Sequence, residues 1–210
     1  MYFNSRMLKV PFIVWLLILL SACGDKPTQL TALKSNSVIL AYGDSLTFGY
    51  GANSKTESYP AILSQLSGIE VVNKGISGET SQQGLERLPS VLAEVNPSLV
   101  ILCHGGNDLI RKLSQQQLKS NLDQMIQLIQ NTGAEVMLIG VPNFSLMLSI
   151  PDLYSQLSEL QNVPIQLDIL QKIERDRRLK SDQVHPNAAG YKLMAETIYQ
   201  ELVDLGALIK

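Results

Sequence analysis

The chain has 210 residues, 45% of them hydrophobic and 17% charged, a length that suits one domain with a full core of its own. Lys and Arg number 17 against 19 Asp and Glu, for a net charge of −2, which implies no basic surface for nucleic acid. Two Cys and two His exclude disulfide frameworks and Cys-rich metal sites by counting, and leave any His-dependent chemistry to His104, His185 or both.

Residues 1–22 read as a removed secretory signal. Arg6 and Lys9 are the only charged side chains before Asp25, and the apolar run Phe12–Leu20 is too short to span a bilayer, which takes ~20 residues. Cleavage after Ala22 by an ordinary signal peptidase would leave the bulky Leu20 at the −3 position. Leu20-Ser21-Ala22-Cys23 instead resembles the lipobox of bacterial lipoproteins. That resemblance implies lipidation of Cys23, whose thiolate is the nucleophile such chemistry needs. Gly24, rather than Asp, in the next position implies outer-membrane delivery, with the protein facing the periplasm. Residues 23–37, polar and bearing Pro27, read as a lipidated N-terminus and tether, and residues 38–210 as the folded domain.

Within the domain, short apolar runs alternate with helical patterns. Strands are expected at Val38–Tyr42, Ile69–Asn73, Leu99–Cys103 and Glu135–Ile139, with a short one near Val163–Leu167. Helices are expected at Tyr59–Leu66, Gly84–Val95 (kinked or started at Pro89), Ser114–Thr132 with a Ser114/Gln117 capping box, Asp152–Leu160, Asp168–Arg178 and Asn187–Leu205. This alternation implies βαβ units, that is, a mostly parallel sheet with helices on both faces. Ligands in such sheets bind beyond the carboxyl ends of the strands, so the residues just after each strand carry the function.

Those residues are Gly43-Asp44-Ser45-Leu46, Asn73-Lys74-Gly75 and Gly105-Gly106-Asn107-Asp108, joined by Asp182-Gln183-Val184-His185-Pro186 before the last helix. In this order they resemble the four blocks of the GDSL-type, or SGNH, hydrolases, with the four name residues on Ser45, Gly75, Asn107 and His185. The texts GDSLTFGYGA, NKGISGETS, GGND and DQVHPNAAGY carry the likeness. Residues 78–89 are particularly similar to the bacterial periplasmic thioesterase I/lysophospholipase group, and the general layout to secreted arylesterases. The resemblance implies a three-layer α/β/α sandwich with a five-stranded, flavodoxin-like sheet. It also implies a carboxylic ester hydrolase acting on acyl esters, thioesters, lysophospholipids or aryl esters, with no metal or cofactor.

The roles have physical reasons. A serine hydroxyl attacks only when a neighbouring base takes its proton. His185 is the expected base, and Asp182, three residues earlier, can orient its ring and stabilise the imidazolium. Ester attack develops charge on the carbonyl oxygen. The expected donors there are the Ser45 and Gly75 N–H groups and the Asn107 amide. Taken singly, these residues also read as a capping serine, a turn glycine and a turn asparagine. Asp44 and Asp108 are expected to stabilise their turns, and His104 to pack at the strand end. Leu109, Ile110, Phe144 and Leu146, the last two in the apolar loop 141–151, are candidates to bind an acyl chain or, equally, to pack on the domain. The competing readings are a carbohydrate deacetylase of the same fold, a non-catalytic lipoprotein binding module, and a metal-dependent hydrolase built on His104, Asp108, Asp182 and His185.

Overall fold

The computed structural model describes residues 29–144 and 148–209. The signal segment, Cys23 and Leu146 lie outside the described residues.

The elements in chain order are β1 (Val38–Gly43), α1 (Ser45–Phe48), α2 (Tyr59–Ser67), β2 (Glu70–Gly75), α3 (Ser81–Val95) and β3 (Leu99–Cys103). They continue as α4 (Gly106–Ile110), α5 (Gln115–Asn131), β4 (Glu135–Ile139), α6 (Leu153–Gln161), β5 (Ile165–Gln166), α7 (Asp168–Arg175), a 3-10 turn (Arg177–Leu179) and α8 (Ala188–Asp204). All sheet pairs are parallel, in the order β2-β1-β3-β4-β5. β1 and β3 lie inside the sheet and are buried along nearly their whole length, which is why both read as unbroken apolar runs rather than as alternation.

The strand order also dictates the layers. The connection from β1 to β2 moves one way along the sheet, and the connection from β2 to β3 crosses back over β1. Right-handed crossovers therefore put α2 and α3 on opposite faces. The packing agrees: α3, α5 and α6 follow one another on one side, while α8 packs against both α2 and α7. The chain turns in opposite directions on leaving β1 and β3, so a crevice opens at the carboxyl ends of these two neighbouring strands.

Local chemistry moved several boundaries. α3 starts at Ser81, not Gly84, because Thr80 and Gln83 form a reciprocal capping box, and it continues through Pro89 to Val95. The capping box expected at Ser114 is half-formed: Ser114 Oγ accepts the Gln117 N–H, but the Gln117 side chain donates to Asn121 Oδ1 at 2.8 Å. α7 stops at Arg175, and Asp176 caps a separate 3-10 turn. The described part of the expected tether is docked rather than free. Leu30 is buried, the N–H groups of Leu30 and Leu33 donate to the carbonyls of Leu205 and Ala207, and Thr31 binds the Glu135 carboxylate.

Candidate active site

β1 ends at Gly43, and the next two residues turn the chain into α1. Asp44, the N-cap, is almost fully buried, and its Oδ1 accepts the Leu46 N–H at 3.0 Å. Burial pushes its carboxyl above the ordinary value, partly offset by the hydrogen bond from the Leu46 N–H. This cap fixes Ser45 as the first residue of a one-turn helix. Its N–H therefore has no intrahelical partner, and its side chain stands at the rim of the crevice.

His185 arrives from the far end of the chain. Residues 180–187 form a tight loop in which Lys180 bridges Pro186 and the Ser181 N–H donates to the His185 carbonyl at 2.9 Å. Lys180 Nζ reaches inward to Glu174 Oε2, and the Asn187 amide donates to the carbonyls of Arg178 and Lys180. Asp182 Oδ1 takes the N–H groups of Val184 and His185, both at 2.8 Å, leaving Oδ2 2.8 Å from His185 Nδ1. Burial raises the Asp182 carboxyl, but these hydrogen bonds outweigh it and hold the group below the usual carboxylate range. On the other side of the ring, His185 Nε2 lies 3.0 Å from Ser45 Oγ. The two segments approach this closely because residue 51 is glycine. A Cβ there would strike Ser181 Oγ and the Pro186 carbonyl. The Tyr50 ring leans on the His185 ring with centroids 4.5 Å apart.

The donors expected around the carbonyl oxygen are arranged differently from the expectation in one respect. Gly75 pairs with Gly43 at the end of the sheet, but its N–H is taken by Asn73 Oδ1 at 2.9 Å, and it does not line the cavity beside Ser45. Its lack of a side chain serves packing, since a Cβ would run into the backbone of Thr47 and Phe48 in α1. The glycine that faces Ser45 is Gly78. It lines the cavity at φ +80°, a conformation suited to glycine, and its N–H has no partner among the described residues. Asn107, at the start of α4, lines the same cavity, with Nδ2 donating to the Glu79 carbonyl at 3.0 Å and making only a long 3.4 Å contact with Asp44 Oδ2.

The cavity has a volume of about 360 Å³ and an apolar wall that includes Tyr50, Ile110, Phe144 and Val184. Ile110 and Phe144 therefore line the cavity next to Ser45. Leu109 does not. It packs against the core, because α4 turns consecutive residues to different sides. His104 is fully buried and Asp108 nearly so. Asp108 accepts from the Ser81 N–H and hydroxyl at 2.8 and 2.6 Å. Among the described residues no three His, Cys, Asp or Glu side chains are grouped as metal ligands, so His104, Asp108, Asp182 and His185 do not form one centre.

This arrangement can move a proton from a hydroxyl to an imidazole held by a carboxylate, next to donors that face a forming oxyanion. The chain is similar to known proteins. The profile of the GDSL-like Lipase/Acylhydrolase family matches residues 41–193. An arylesterase of Vibrio mimicus is 33% identical over 183 residues, covering 82% of this chain and 91% of its own. The thioesterase 1/protease 1/lysophospholipase L1 of Escherichia coli K12 is 31% identical over 175 residues, covering 80% and 84%. The crystal structure of the esterase EstA from Pseudoalteromonas sp., inhibited by monoethylphosphonate, superposes with a TM-score of 0.72 at 27% identity, covering 80% of this chain and 98% of that one. The five-stranded parallel sheet, the blocks on its strand ends and these likenesses agree, and the chain belongs to the GDSL-like lipase/acylhydrolase family of SGNH-type carboxylic ester hydrolases.

Proposed function

We propose that the chain cleaves acyl esters and thioesters, of the aryl ester and lysophospholipid kinds that its relatives' names describe, through an acyl-enzyme on Ser45. The observation that carries this reading is the line from Asp182 Oδ2 through His185 to Ser45 Oγ, with steps of 2.8 and 3.0 Å, at the edge of an apolar cavity. Ser45 Oγ attacks the carbonyl carbon while its proton passes to His185 Nε2, and Asp182 stabilises the imidazolium. The Ser45 and Gly78 N–H groups and the Asn107 amide receive the oxyanion. His185 then returns the proton to the leaving alcohol or thiol as the C–O or C–S bond breaks. Water, deprotonated by the same ring, releases the acid and restores Ser45.

Apolar side chains on the cavity wall favour an acyl chain over a sugar ring as the group held there. The test is a panel of chromogenic esters and thioesters of rising acyl length, with Ser45→Ala alongside and a serine-directed phosphonate as probe. The reading expects one phosphonate per chain, on Ser45, with loss of all hydrolysis. Turnover that survives full labelling would overturn it.

The same reading places the enzyme at the bacterial envelope, lipid-anchored through Cys23 to the outer membrane and facing the periplasm. Its support is the Leu20–Cys23 motif after a short apolar run. An anchored enzyme would meet acyl esters at a lipid surface.

A further inference from the structure

Three polar side chains meet beneath the cavity floor, and the hydrolytic steps use none of them. Glu79 follows Gly78 directly. Its carboxylate accepts two bonds from Arg87, at 2.5 Å from Nε and 2.7 Å from Nη2, and lies 3.1 Å from His104 Nε2. Glu79 is 6% exposed and His104 0%. His104 Nδ1 accepts the Gly105 N–H at 3.1 Å, so the neutral ring carries its proton on Nε2 and donates it to Glu79. Arg87 also donates to the Lys74 carbonyl at 2.8 Å and lies over the Tyr42 ring, 4.2 Å from its centroid. One carboxylate thereby ties together the ends of β2 and β3 and the body of α3. The fit is close, since a Cβ on Gly84 of α3 would strike the His104 ring.

The main chain of Glu79 acts on the other side. Its carbonyl takes one N–H of the Asn107 amide at 3.0 Å, which points the second N–H elsewhere. Its N–H donates to the Ile76 carbonyl at 3.2 Å, and the Gly78 carbonyl accepts from Arg111 at 2.8 Å. The peptide groups on both sides of residue 79 are thus held, the first of them directly after Gly78. Donors that stabilise an oxyanion are effective only if they are already oriented when charge develops. A buried carboxylate that would be costly to unpair is a means of holding them so.

We propose that Glu79, clamped by Arg87 and His104, is a positioning residue for the oxyanion hole, setting the Asn107 amide through its own carbonyl and the adjoining Gly78 N–H through the backbone of residues 78 and 79. This rests on the reading of Gly78 and Asn107 as oxyanion donors. In it, His104 serves as a neutral hydrogen-bond donor.

The test compares Glu79→Gln, His104→Leu and His104→Gln in the full chain with Ile126→Val, a core change in α5, as the reference for stability loss. Readouts are kcat and KM on a short-chain chromogenic ester, the unfolding midpoint, and inhibition by an alkylboronic acid, which forms a tetrahedral adduct, against inhibition by the product acid. Glu79→Gln and His104→Leu should lower kcat about ten- to hundredfold with KM within about twofold. Boronic acid inhibition should weaken by a similar factor while product inhibition holds, and His104→Gln, which keeps a donor, should recover most of the rate. If Glu79→Gln does not fold, the two His104 variants decide, because they leave the Arg87–Glu79 pair intact. Unchanged kcat, or losses no larger than those of Ile126→Val at equal midpoint, would overturn the proposal. Asn107→Ala separates the two levels. If that variant is inactive while the Glu79 and His104 variants are normal, only the positioning role fails. If Asn107→Ala itself retains full kcat, the donor assignment beneath it fails.

Discussion

His185 Nε2 lies 3.0 Å from Ser45 Oγ although 140 residues of chain separate them. The contact joins the first strand's exit to the last helix's entrance. In the proposed mechanism it makes Ser45 and His185 work as one unit. Ser45→Ala and His185→Ala should each cut hydrolysis of a chromogenic ester by at least about 10³-fold, and the double variant should be no worse than the weaker single one. Initial rates at saturating ester measure this. Losses that simply multiply would mean that the two side chains act independently.

The proposed oxyanion donors set the neighbourhood of Gly78 apart from Gly75, whose missing side chain serves packing. Asn107→Ala should lower kcat by about 10²–10³ with an almost unchanged unfolding midpoint, because it removes one donor and no core contact. Gly75→Ala should behave in the opposite way. Its Cβ would sit 2.7 Å from the Thr47 carbonyl carbon, and overpacking of this kind costs about 1–3 kcal/mol. Thermal unfolding of the two variants, with kinetics below both midpoints, distinguishes the effects.

Gly75 also shows where the sequence can and cannot be read. The approach of Ser45, Asp182 and His185 is legible in the sequence because Ser45 directly follows a strand, Asp182 and His185 lie in the short loop before the last helix, and an Asp three residues before a His can turn back on it. Choosing between Gly75 and Gly78 required knowing which N–H is already spent. The signal was present in Asn73, whose side chain captures the N–H two residues on, as Asn does in tight turns. Leu109 and Ile110 could not be separated, because the five-residue α4 is too short to show a periodicity and one residue of helix rotation decides which faces the cavity. The Glu79, Arg87 and His104 cluster was out of reach. It joins residues 8 and 25 positions apart and depends on α3 passing close enough for Gly84 to touch the ring.

That rotation makes the cavity wall testable. Ile110 is 48% exposed and borders the cavity, whereas Leu109 packs against the core. Ile110→Ala should shift the preferred acyl length upward and leave the unfolding midpoint within a degree or two, as surface changes usually do, within about 0.5 kcal/mol. Leu109→Ala should lower the midpoint and keep the chain-length profile. A profile that moves with Leu109 and not with Ile110 would reverse the assignment of the acyl side.

The anchor is tested apart from the chemistry. Cys23→Ser removes the thiol that lipidation needs, so the protein expressed with its own leader should move from the detergent phase to the aqueous phase while ester turnover stays unchanged. Phase partitioning of both forms, followed by immunoblot, is sufficient. Equal partitioning would refute attachment through Cys23 and would leave the ester chemistry untouched.

The last prediction concerns acid. Burial raises the Glu79 carboxyl, but the hydrogen bonds from His104 and Arg87 and the Arg87 charge outweigh it and hold the group below its ordinary value of 4.5. The sign follows from linkage. With the folded pKa below the unfolded one, the unfolded chain binds the extra proton, so ionised Glu79 stabilises the fold above the unfolded value. That contribution fades as pH falls through the folded pKa. Among the described residues the charged and titratable groups bonded to this carboxylate are Arg87 and His104, with the Tyr42 ring beneath the guanidinium. Wild type should therefore unfold at a higher temperature than Glu79→Gln by a margin that is constant above about pH 5 and narrows as the pH drops below the ordinary carboxylate value. Unfolding midpoints of both proteins across pH 3 to 7 measure that margin. A margin that widens on acidification would show that Glu79 is held protonated instead, and the ion pair with Arg87 would not be what closes the loop beneath Gly78.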